Sequence, residues 1–177
     1  MKVISKGALV ALLLAGAAVP AFAQVNTSTA TGNGSVTIIR PITVTADKDL
    51  LFGTLIRPAT GSGDATVANA GGLTVSGGIF SLASGGAAQA AEFTIKGEAG
   101  QAFTLNVADN FDLHHGGDVL TVTTNQSVAD GTITPSGAVG DVADAVTLVK
   151  VGGKITVANT TPSGLYQGTF AVTATYN

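Results

Sequence analysis

Gly164-Leu165-Tyr166-Gln167-Gly168-Thr169-Phe170-Ala171-Val172-Thr173-Ala174-Thr175-Tyr176-Asn177, the stretch that ends the chain, alternates without a break. Tyr166, Gly168, Phe170, Val172, Ala174 and Tyr176 fall on one side, and Gln167, Thr169, Ala171, Thr173, Thr175 and Asn177 on the other. A period of two over that length predicts a strand with one buried face. It holds no acid, base or proline, so it can lie inside a sheet.

Working back from this ribbon, nearly every segment is rich in Thr and Val and punctuated by glycine, as half-buried pleated strands are. The pattern predicts strands at Val36–Ile39, Ile42–Thr45, Leu50–Ile56, Ala65–Ala68, Leu73–Val75, Gly78–Leu82, Ala91–Lys96, Ala102–Val107, Val119–Thr124, Val146–Val151 and Lys154–Val157. Two hairpins are expected. Val151-Gly152-Gly153-Lys154 offers a two-residue Gly-Gly turn, which would place Val146, Leu148, Ile155 and Val157 on one face. Gly97-Glu98-Ala99-Gly100 would join the strands around Phe93 and Phe103. No segment has a helical period; Ala83 to Ala91 is alanine-rich but carries Gly85-Gly86, so at most a helical turn is expected there. Short strands at roughly ten-residue spacing predict an all-β fold, an antiparallel two-sheet sandwich.

Met1 to Ala23 has the pattern of a signal peptide. Lys2 and Lys6 precede the apolar run Ala8–Ala18, which is shorter than the ~20 residues a membrane span needs. Pro20 breaks the run, and Ala21-Phe22-Ala23 is a small-x-small cleavage pattern. The expected organisation is a signal peptide over 1–23, a flexible N-terminal arm over 24–34 and a single β-sandwich domain over 35–177. The expected location is the periplasm, cell surface or extracellular space, with no transmembrane helix in the mature chain.

Beyond Lys2 and Lys6 the chain carries 6 basic side chains (8 less these two) against 11 acidic ones, a net −5. A basic surface for nucleic acid is thereby disfavoured. With 0 Cys there is no disulfide, thiolate nucleophile or cysteine metal site. His114-His115 would point to opposite faces of a strand, so the pair reads as a polar loop leading into Gly116-Gly117. Asp109-Asn110-Phe111-Asp112 and Asp141-Val142-Ala143-Asp144 lack the spacing of a calcium loop and read as solvated turns. No nucleophile elbow or assignable carboxylate pair stands out. The expectation is a non-enzymatic protein with no cofactor and no metal.

Pro41-Ile42-Thr43-Val44, Leu50-Leu51-Phe52-Gly53-Thr54-Leu55, Phe93 to Gly100, Val151 to Val157 and Gly164 to Asn177 together resemble motifs of the domain-of-unknown-function 4402 family of secreted bacterial proteins. The chain is also loosely similar to chaperone–usher and spore-coat-U-like pilins. Tyr176 is penultimate, Gly164 stands fourteenth from the end, and Phe52-Gly53 resembles an early Phe-Gly of those pilins. That resemblance implies an immunoglobulin-like domain lacking one strand, whose groove is filled by a neighbour's N-terminal segment. It implies copies of itself and a periplasmic chaperone as partners, and an assembly strand formed by Gly164, Tyr166, Gly168, Phe170, Val172, Ala174 and Tyr176. Val25 is the one large apolar residue of the arm's first part; Val36 and Ile38 are either donor residues or the domain's own first strand. The alternative function is a self-complete monomeric sandwich that binds a carbohydrate or surface polymer, with Tyr166, Phe111 or Phe80 as stacking residues.

Overall fold

The computed structural model describes residues 26–141 and 143–177; the signal peptide expected over 1–23 lies outside them, as do Gln24 and Val25. The strands, in chain order, are β1 (Thr43–Lys48), β2 (Thr54–Ile56), β3 (Ser62–Val67), β4 (Leu73–Val75), β5 (Phe80–Leu82), β6 (Ala91–Gly97), β7 (Phe103–Val107), β8 (Asn110–His115), β9 (Asp118–Gln126), β10 (Gly131–Ile133), β11 (Ala145–Ala158) and β12 (Val172–Tyr176). The alanine-rich stretch contributes one 3-10 turn, Ala83–Gly85. Residues 26–42 carry no strand, so the first strand begins at Thr43 and Val36–Ile39 takes no part in a sheet.

All the pairings are antiparallel. The larger sheet contains β1, β6, β11, β3 and β4, with the β8–β9 hairpin attached through β9; β10, β7 and β12 form a smaller sheet, and β2 and β5 a two-stranded ribbon. The two larger sheets share one core. Phe93, Ile95, Val149 and Val151 from the first sheet pack with Phe103, Leu105 and Val107 from the second. The fold is therefore all-β, with two antiparallel sheets packed face to face. Fully burying such a side chain contributes about 1.5–3 kcal/mol. A second cluster, around Ala65, Ile79, Val122, Ile155 and Val157, fills the space beneath β3, β9 and the later half of β11.

Both expected hairpins are corrected. β6 and β7 lie in different sheets, so Gly97–Gly100 is an arch and not a hairpin turn. Ala91, Phe93 and Ile95 face Phe103, Leu105 and Val107 across the core, and burial of both apolar faces wins over pairing between sequence neighbours. At Gly152-Gly153 the chain does not turn: β11 runs straight through as a strand of 14 residues. These glycines mark a close approach. A Cβ on Gly152 would strike the Val67 carbonyl, and one on Gly153 would lie 2.7 Å from Val122 Cγ1. With no turn there, parity along β11 is unbroken. Val149, Val151, Ile155 and Val157 point inward, whereas Val146 and Leu148 are on the outer face.

The terminal ribbon is also corrected in extent. Paired strand covers only Val172–Tyr176, against β7, while Gln167 forms a bridge to His114 of β8. The segment thus leaves one sheet and joins the other, although its side-chain alternation continues throughout. β8 replaces the polar loop expected around His114-His115, and β10 is a further strand the pattern did not indicate. Among the described residues no helix is long and apolar enough to cross a membrane.

Candidate assembly surface

β11 organises the larger sheet and exposes its edge. Val151 pairs with Ala91 on one side and Gln126 on the other; Gly153 pairs with both Val67 and Thr124. Hence β6 and β3 follow one another along one edge of β11, and β9 occupies the opposite edge only from Val151 to Lys154. Ser127 extends that side by one residue, donating its N–H to the Lys150 carbonyl. From Ala145 to Val149 the edge facing away from β6 has no strand partner among the described residues.

Beside this edge is an open cleft of about 520 Å³, walled by Ala145–Leu148 and by Thr134-Pro135-Ser136. The second wall continues β10, which pairs only with β7 among the described residues. Pro135 is tied to the arch by its carbonyl, which accepts the Gly100 N–H at 3.1 Å. No wall residue is charged. Val146 is 61% exposed and Leu148 44% exposed on the outer face. Unpaired backbone beside apolar side chains is the signature of a sheet edge able to accept another strand.

The other place where the two sheets approach is closed. Tyr176 Oη accepts the Glu98 N–H at 2.6 Å and donates to the Arg40 carbonyl at 3.1 Å. Glu98, with its side chain 2% exposed, accepts the Gly140 N–H at 2.6 Å and the Arg40 N–H at 3.1 Å. The Arg40 guanidinium lies 3.7 Å from the Glu98 carboxylate and donates to the carbonyls of Ala143 and Asp141. The Gly140 and Arg40 amides, followed by the Arg40 charge, hold the Glu98 carboxyl below its ordinary value despite the opposing effect of burial. Its oxygens are engaged in holding the chain together.

The seven residues expected to form an assembly strand are divided between the sheets. Gly164 lies against the His115 ring, where a Cβ would collide with it. Tyr166 is half-buried, with its ring 5.3 Å from that of His115 and its hydroxyl donating to the Pro162 carbonyl at 3.0 Å. Desolvation, with a smaller contribution from Asp118, pushes the Tyr166 phenol up. Gly168 passes so near the Asp112 carbonyl that a Cβ would clash there. Phe170 stacks on Phe111 at 4.8 Å and meets Phe93 edge-on at 5.6 Å. Val172, Ala174 and Tyr176 pack onto the shared core.

His114 and His115 lie on opposite sides of β8. Asp112 accepts a hydrogen bond from Thr121 at 2.7 Å. Among the described residues no three His, Asp or Glu side chains gather in a way that could hold a metal ion. Of the proposed stacking residues, Phe111 is taken up by Phe170, whereas Phe80 is 65% exposed.

Arg40, Glu98 and the β11 edge were not singled out by the sequence. A lone acid in a glycine linker between two Phe-bearing strands was the signal available for Glu98. The vacant edge has no such signal, because pairing partners are a property of topology.

The fold and its surfaces define an all-β domain of two facing sheets, in which the Ala145–Val149 edge of β11 has no strand partner other than β6 among the described residues. The family model described as Domain of unknown function (DUF4402) matches residues 42–176, and the chain belongs to that family. No curated protein matches the chain, and no solved structure does.

Proposed function

We propose that the chain is a non-enzymatic, exported structural protein, a pilin-like surface subunit that assembles by β-strand addition. The observation that carries this reading is the Ala145–Val149 edge of β11, which has no further strand partner among the described residues beyond β6, beside an uncharged cleft. Such an edge gains main-chain hydrogen bonds and covers apolar surface when a further strand is laid along it. The loose similarity of the terminal motif to pilins supports the same reading, with a periplasmic chaperone as the partner that would hold the edge before assembly. Sedimentation velocity over a concentration series tests it: mass is expected to grow with concentration, and a single monomeric boundary at every concentration overturns it.

One observation favours a second reading, a self-complete sandwich binding a carbohydrate or surface polymer. Phe80 pairs with Ile56 on the β2–β5 ribbon and stands exposed, as a sugar-stacking ring would. A glycan array probed with the protein and with Phe80→Ala separates the two. Binding that Phe80→Ala abolishes supports this second reading; silence on the array counts against it.

A further inference from the structure

We infer that Asn33-Gly34 is a self-modifying site, where the Gly34 backbone nitrogen closes on the Asn33 side chain and converts it to aspartate and isoaspartate, giving the protein a second, more acidic form.

The residue pair supplies the chemistry. The Gly34 amide nitrogen loses its proton to solvent base and attacks Asn33 Cγ. The Cγ–Nδ2 bond then breaks, the leaving nitrogen takes a proton from solvent to depart as ammonia, and a succinimide ring joins the two residues. Water opens the ring at either carbonyl. Cleavage between the Gly34 nitrogen and Cγ leaves aspartate in the original backbone. Cleavage between the Gly34 nitrogen and the Asn33 carbonyl carbon leaves isoaspartate, with the main chain rerouted through Cβ and Cγ. Water is consumed and ammonia released; nothing is oxidised or reduced.

Ring closure requires an attacking amide that no ladder holds and a following residue that does not crowd the approach. Residues 26–42 carry no strand, and both Asn33 and Gly34 are exposed. Among the described residues no backbone hydrogen bond engages Gly34. Nothing lies within 4 Å of the place a Cβ on Gly34 would take, and the same holds for Gly32. Glycine itself brings no Cβ to the ring and reaches backbone angles that other residues avoid.

The rest of the chain supplies the contrast. No other asparagine in the sequence precedes a glycine. Asn26 shares the strand-free segment but is followed by Thr27, whose branched Cβ crowds the approach. Asn106, Asn110 and Asn125 lie in β7, β8 and β9, and the Asn125 side-chain amide donates to the Val67 carbonyl at 3.2 Å. Asp130-Gly131 is the analogous acid pair, but its carboxylate accepts the Val107 N–H at 2.9 Å and the Gln126 side-chain amide at 2.8 Å, and Gly131 opens β10.

From Gln24 to Ile39 the sequence has no acid and no base. Conversion therefore places a carboxylate, ionised at neutral pH, where the segment had no side-chain charge. Isoaspartate also lengthens the main chain, which breaks the side-chain alternation at that point. The reaction needs only water, so it stands independently of strand addition.

The purified full protein and its Gly34→Val variant are held for days in mildly alkaline buffer, then mapped by peptide mass spectrometry that separates aspartate from isoaspartate. The substitution lies outside every strand, and unchanged hydrogen exchange in β7 verifies the fold. The inference is supported by conversion at Asn33 at least about tenfold faster than at Asn26, Asn106, Asn110 and Asn125, with both isomers formed, and by a rate at least about tenfold lower in Gly34→Val. A smaller advantage over Asn26, or a smaller effect of Gly34→Val, overturns it. Aspartate without isoaspartate marks direct hydrolysis and overturns the ring closure. Sedimentation velocity decides strand addition separately, so neither result stands in for the other.

Discussion

The two sheets approach each other along two seams, and the molecule treats them in opposite ways. Along one, half-buried Tyr176 of β12 and Arg40 before β1 close over the buried Glu98 of the arch in a polar clasp in which one hydroxyl both accepts and donates. Along the other, β11 and the continuation of β10 stand apart over an uncharged cleft, with Val146 and Leu148 exposed nearby. Polar groups inside a fold are costly unless every one is matched, so the clasp holds one arrangement of its elements. The β11 edge, apolar and without a strand partner beyond β6 among the described residues over Ala145–Val149, has no such matched polar groups built into it. The closed seam ties the arch, β12 and the segment before β1 together, and the open one leaves backbone and apolar side chains uncovered.

Breaking the closed seam has the largest expected effect. A Cβ on Gly97 would lie 2.6 Å from Tyr176 Oη, so Gly97→Val displaces that hydroxyl from both of its partners. Overpacking and two lost hydrogen bonds together are expected to cost about 3 kcal/mol, read as a lower urea midpoint. Tyr176→Phe keeps the ring and removes only the hydroxyl, leaving the Glu98 N–H unmatched. Its expected cost is about 1.5 kcal/mol in the same titration. The clasp also sets a pH dependence. Because Glu98 titrates lower when folded than unfolded, its contribution is complete above the ordinary glutamate range and is lost as pH falls through the folded-state value. Urea midpoints across acidic pH are expected to show this fall, and Glu98→Gln is expected to remove the part due to this group. At the open seam, Val146→Ser is expected to change monomer stability by no more than about 0.5 kcal/mol, since the side chain already faces solvent. A cost as large as that of Tyr176→Phe would show that the cleft is already filled within the monomer.

The sequence showed the class of fold but not its connections. Val and Thr alternation located most strands, and Leu73–Val75 coincides with β4. Side-chain parity in the terminal ribbon was equally legible, with Phe170, Val172, Ala174 and Tyr176 turned toward the core. The partners of those strands were not legible. A glycine linker between two β-rich segments reads the same way whether the strands pair edge to edge or face each other as layers, and β6 and β7 take the second course. Gly152-Gly153 misled because glycine serves both sharp turns and close backbone approach, and only the proximity of Val67 and Val122 distinguishes them. β8 was obscured by Asp112 and its two histidines, although Phe111 and Leu113 carried a half-buried alternation. Whether β11 had a neighbour at Ala145–Val149 depended on where β9 ended, which no local pattern encodes.

β11 also governs how the chain reaches this state. Its neighbours come from three distant stretches, β3, β6 and β9, and it follows all of them in sequence. Contacts of such long range make for slow folding, on the order of milliseconds to seconds for β-rich domains. The pairs β1–β6, β3–β4 and β8–β9 are joined into one sheet only when β11 docks between them, and β12 comes later still to complete the smaller sheet. The interval before β11 docks is when this chain is most vulnerable to adhering to the wrong neighbour.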